Sequence, residues 1–88
     1  MKIVEGFRMR HILGQYAVVG EGAAQVDFNK LVTLNATAAY LWQEVEGKEF
    51  DVSVLAELIV NKYGIDSNTA LADAQLLVQK WTQLGLVK

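Results

Sequence analysis

His11 is the one histidine of this protein, and nothing around it completes a catalytic pattern. A nucleophile, a base and an orienting group must meet in space, and no serine, cysteine or carboxylate stands at a motif spacing from His11. It reads as a plain strand histidine. A zinc centre would need three or four cysteine or histidine ligands, and the chain has no cysteine and one histidine. Glu44, Glu46, Glu49 and Asp51 gather at a helix end and the linker after it, where they read as solvated charge. Gly20-Glu21-Gly22 has no strand-to-helix step behind it to aim amides at a phosphate. These residues point away from an enzyme, and no metal or cofactor is expected.

Nucleic acid is the next class to weigh. Its phosphates ask for a basic face. The eight lysines and arginines are scattered singly, with only Arg8 and Arg10 close together, and the net charge is −2. On the last helix Lys80 is opposed by Asp73. No nucleic-acid partner is expected.

The elements that position these residues follow from periodicity and punctuation. Residues 8–12 and 16–19 read as two strands joined by Leu13-Gly14-Gln15, with Gly14 supplying a positive φ for a hairpin turn. Arg8, Arg10 and Ile12 face one side and Met9 and His11 the other, so one face of a small antiparallel sheet is at least partly wet. Residues 25–28 alternate and read as a candidate strand, Asn29-Lys30 as a turn or bulge, and Leu31-Val32-Thr33-Leu34 as a strand.

At Asn35 the apolar period changes from two to 3.6. Asn35 is a strong N-cap, and Leu34 just before it is placed for a hydrophobic staple onto Ala39. The first helix buries Ala38, Leu41, Trp42 and Val45 and ends at Gly47. A short polar linker over residues 48–51 leads to a second helix capped by Asp51 or Ser53, with Leu55, Leu58 and Ile59 inward. Gly64 stops it, and Asp66-Ser67 caps a third helix whose inner face runs through Ala70, Ala74, Leu77, Val78, Trp81 and Leu84 up to Gly85.

The outline is an α+β, winged-helix-like fold, a three-stranded antiparallel sheet followed by three helices. Residues 1–88 make a single domain, of a size that buries only roughly 60% of its unfolded surface. The composition, 52% hydrophobic and 20% charged, is that of a globular chain. With no cysteine, no secretory segment and no apolar run approaching the roughly 20 residues of a membrane span, the expectation is a cytoplasmic protein without a membrane partner.

Binding to protein or peptide remains. A third strand that ends the sheet leaves free amides and carbonyls to which an extended peptide can add. The same edge could instead pair with a second copy in a homodimer, or the hairpin could swap.

Several of these residues resemble one family. Leu34-Asn35, Ala38, Leu41-Trp42, Gly47, Tyr63-Gly64-Ile65-Asp66, Ala72-Asp73 and Leu84-Gly85-Leu86-Val87 together look like the PqqD-like proteins. Those are small stand-alone versions of the domain that recognises precursors of ribosomally made, post-translationally modified peptides. The resemblance covers nearly the whole chain from Phe7. It implies a non-catalytic adaptor that binds the leader of a precursor peptide as an added strand and presents it to a modifying enzyme, often a radical S-adenosylmethionine (SAM) protein.

Carried onto this chain, the resemblance makes Leu31, Val32, Thr33 and Leu34 the peptide-binding edge. Ala70, Asp73, Ala74 and Leu77 become the groove wall, with Asp73 placed to meet a basic leader residue. The chain departs from the family's pattern in three places. Residues 21–30 form a longer connection than usual, which leaves open whether they cover the edge or form part of it. Asp73-Ala74 stands for the usual aspartate-valine pair, leaving more room in the groove, and Glu46-Gly47 stands for aspartate-glycine, read as a change without consequence.

Overall fold

A computed structural model describes residues 1–21 and 31–88. Three strands, β1 (Phe7–Ile12), β2 (Gln15–Gly20) and β3 (Leu31–Leu34), precede three helices, α1 (Ala36–Val45), α2 (Val52–Tyr63) and α3 (Ser67–Gln83). The expected strand over residues 25–28, the turn at Asn29-Lys30 and the role of the long connection fall on residues 22–30, outside the described residues.

The sheet is antiparallel in the order β1-β2-β3. Met9, Val18 and Val32 stand opposite one another across the strands and turn inward, while Arg10, Ala17 and Thr33 share the other face. The β1–β2 turn is tighter than expected. Ile12 pairs with Gln15, so Gln15 belongs to β2 and only Leu13 and Gly14 turn, with φ of 51° and 79°. Two positive φ values make a type I′ turn, whose twist matches the twist of the strands it joins.

Each helix opens on a side-chain cap. Asn35 accepts from the Ala38 amide at 2.8 Å, Asp51 from the Val54 amide at 2.9 Å, and Asp66 from the amides of Asn68 and Thr69 at 3.0 and 3.1 Å. Asp51, rather than Ser53, is therefore the cap of α2. Gly64 ends α2 in the left-handed conformation, φ 66°, which returns its amide to the Val60 carbonyl at 2.8 Å and lets α3 start three residues later, at Ser67.

The core lies between the sheet's inner face and the helices. Trp42 and Trp81 meet edge to face at 5.3 Å between centroids, and Leu41, Leu55, Ala70, Ala74 and Leu86 are fully buried around them. The linker expected to be polar contributes to this core. Phe50 is buried and lies edge-on to Trp81 at 6.4 Å, because its ring finds a site between helices that no local pattern discloses. Ile3 is buried too, in a β-bridge with Val87 flanked by reciprocal backbone bonds of 2.8 Å between Lys2 and Lys88. Among the described residues, no helix is long and apolar enough to cross a membrane.

Candidate functional site

β3 pairs with β2 along one side only, and no described strand takes its other side. The opposite outer strand, β1, carries Arg8 and Arg10, of which Arg10 binds both Glu21 oxygens at 2.9 and 2.6 Å and Arg8 reaches Glu46 at 3.3 Å. Charges of that kind guard a sheet edge against adding strands. β3 has none: its four residues are Leu31, Val32, Thr33 and Leu34.

The side chains of β3 alternate as the pleat requires. Val32 is buried in the core, Leu34 is half-buried, and Leu31 and Thr33 are exposed, Leu31 to 61%. Leu31 is thus an apolar side chain left on the surface beside a backbone edge that no described strand pairs.

Where β3 passes through Asn35 into α1, a pocket of about 230 Å³ opens between α1, α2 and α3. Ala38, Leu41, Ile59 and Leu77 give it apolar walls, and Asn35, Thr37 and Asp73 give it polar ones. A second hollow of about 450 Å³, lined by Tyr16, Thr33, Leu34 and Ala36, also reaches Asn35. The two hollows place concave surface along the end of β3. Such concavity with mixed lining is what a docked side chain needs.

The expected site residues therefore divide. Asp73, exposed, and Leu77, half-buried, line the pocket close to the end of β3. Ala70 and Ala74 are fully buried and bring no surface to a groove; their small side chains sit where α3 packs against the core. The residue at 74 therefore bears on helix packing, and the extra room expected from alanine there is filled by core. Thr37, Ala38, Leu41 and Ile59 line the pocket as well, beyond the residues expected there. Their apolar periodicity marked the last three as core, and nothing local shows that part of a core face is reachable from outside.

The acidic cluster has separate structural tasks. Asp51 caps α2, and Glu49 lies 3.2 Å from the Met1 amino group. Glu46 accepts the indole N–H of buried Trp42 at 3.1 Å. His11 is exposed and stacked on Tyr16 at 4.6 Å. Among the described residues, no group of three or more histidine, cysteine, aspartate or glutamate side chains could hold a metal ion. Another concavity, of about 760 Å³, lies elsewhere, between residues 2–7, Arg8, Glu21 and the Glu46-Gly47 end of α1.

A three-stranded sheet with one unguarded edge, followed by three helices that open a pocket at the end of that edge, defines a small α+β binding domain. The chain belongs to the coenzyme PQQ synthesis protein D (PqqD) family, whose sequence profile matches residues 13–87. A solved structure described as TbiB1 in complex with the TbiA(beta) leader peptide has the same fold, with a TM-score of 0.77 at 19% identity. The match covers 100% of this chain and 95% of that one. No curated protein matches the sequence at a significant level.

Proposed function

We propose that the protein is a non-catalytic adaptor that binds the leader of a ribosomally made precursor peptide by strand addition to β3 and presents it to a modifying enzyme. The observation that carries this reading is the charge-free, one-sided strand Leu31–Leu34 ending at a pocket lined by Asp73 and Leu77. Main-chain bonds to the edge would supply affinity without demanding a sequence, and the pocket would select a side chain. Membership of the PqqD family and the likeness to a fold solved with a leader peptide support the same reading.

In this reading residues 1–88 act as one recognition domain in the cytoplasm, and the enzyme served is a peptide-modifying one, such as a radical SAM protein. The adaptor contributes proximity: it raises the local concentration of the peptide at an active site that it does not itself contain. A nucleic-acid role draws no support from α3, where Lys80 is the one cation.

The test is a titration of isotope-labelled protein with the leader of a precursor encoded beside this chain, followed by amide shifts. The expected result is that shifts concentrate on Leu31–Leu34, Asp73 and Leu77. Saturating leader that leaves all of them unmoved would sink the proposal.

A further inference from the structure

Lys62, in the last turn of α2, stands beside two tyrosine rings, one of which reaches a wall of the β3 pocket. Its Nζ lies 4.7 Å from the centre of the Tyr40 ring and 5.9 Å from that of Tyr63. The Tyr63 hydroxyl accepts a hydrogen bond of 3.3 Å from Thr37, and Thr37 is itself a wall of the pocket. Tyr63 also follows Ile59, another wall, by one turn of α2, so the two share a helix face.

Two aromatic faces restrict where this ammonium can go while leaving it exposed. A lysine held in that way gives up less freedom on pairing than a free one, whose flexible stem must be ordered first. None of the ion pairs among the described residues uses Lys62. Asp73 lies on the wall of the same pocket and is likewise in none of them. The pocket thus has apolar walls, an anion on one of them, and a cation that sits against the tyrosine bonded to Thr37.

We infer that Lys62 is a specificity residue that pairs with an acidic side chain of the bound peptide, so the site takes an extended peptide with a carboxylate close to the apolar residue filling the pocket. This rests on the strand-addition reading above. The charge complementarity adds to it a chemical class of ligand.

The experiment selects binders for the whole chain from a displayed library of random short peptides, then titrates the winners into labelled protein. Winners should move the amides of Leu31–Leu34 and be enriched in aspartate or glutamate near an apolar residue. Lys62→Gln should weaken them about two- to fivefold, the range of an exposed ion pair. Lys62→Glu should weaken them further and Lys62→Arg should restore them, with the differences shrinking as salt is raised.

Winners that move the β3 amides without acidic enrichment, or that bind Lys62→Glu as well as the parent, overturn the inference and leave strand addition standing. No enrichment at all, or winners that leave β3 unmoved, overturns strand addition and the inference with it. Because Lys62 is exposed, the Gln and Arg variants are expected to keep the parent's circular dichroism and melting curve, which separates lost pairing from lost fold.

Discussion

Glu46 closes the last turn of α1 onto Trp42: one carboxylate oxygen takes the buried indole N–H at 3.1 Å, and the other meets Arg8 of β1 at 3.3 Å. A single half-exposed side chain thereby satisfies a donor in the core and ties the first helix to the sheet. Removing the acceptor leaves that donor without a partner. Glu46→Ala should therefore destabilise the fold by about 1–3 kcal/mol, whereas Glu46→Gln, which keeps an acceptor, should lose less. Urea denaturation of the three proteins checks the order, and equal midpoints for Ala and parent would refute it.

Trp81 offers the contrast. It is as deeply buried as Trp42, but its indole N–H has no hydrogen-bond partner among the described residues. Trp81→Phe and Trp42→Phe remove similar volume, yet the first also removes a desolvated donor and the second breaks a bond to a carboxylate. Trp81→Phe should thus be the milder change, by roughly 1 kcal/mol or more. Matched thermal melts measure the gap, and a larger loss at Trp81 would count against it.

Leu13 holds a positive φ of 51° with its side chain 97% exposed at the tip of the hairpin. A leucine there is strained and gains no packing in return. Leu13→Asn would create the Asn-Gly pair that a type I′ turn favours and should stabilise the protein by about 0.5–1 kcal/mol, a rise of a few degrees in Tm. Calorimetry that finds a lower Tm would contradict the turn assignment.

How far the sequence discloses this molecule depends on how local each cause is. Asn35, Asp51 and Asp66 cap helices through bonds to amides two or three residues away, so their roles are visible in the chain itself. The buried stripe Ala38, Leu41, Trp42 and Val45 follows directly from helical spacing. Phe50, in a stretch otherwise polar, becomes core only because Trp81, distant in sequence, presents an edge to it. The pocket is the same kind of fact. Thr37, Ile59 and Asp73 come from three helices and meet through packing, and Ala70 and Ala74 go to the interior although helical phase alone puts them close to Asp73 and Leu77.

Backbone direction alternates along β3, so Leu31 and Thr33 send their amides to one side and Val32 and Leu34 to the other. Proline placed singly at these positions should give two classes. Where the amide bonds β2 the fold should weaken; where it points outward the leader should be lost, with a smaller change in stability at the exposed positions. Leu31→Ala and Thr33→Ala should change affinity less than the outward prolines do. Melting curves paired with leader titrations would settle it, and four proline variants that all keep binding would end the edge-strand reading.

Asp73 is exposed on the pocket wall, and its proposed task is to meet a basic leader residue. Asp73→Lys should weaken a leader with a basic residue near its apolar anchor about two- to fivefold, and less at high salt. Fluorescence anisotropy on a labelled leader provides the number. Unchanged affinity would take Asp73 out of the site while leaving β3 in it.

The bridge between Ile3 and Val87 joins positions separated by nearly the length of the chain, whereas the β1–β2 hairpin and the α2–α3 pair are built from neighbours in sequence. Loop closure makes that bridge the contact with the largest entropic penalty on the way to the native state. The hairpin and the helix pair can assemble early from local encounters, leaving the terminal seam to zip last. In hydrogen exchange, the amides of Lys2, Val4 and Lys88 should accordingly open well before those of Leu55 or Trp81, so that the molecule begins to unravel from its seam.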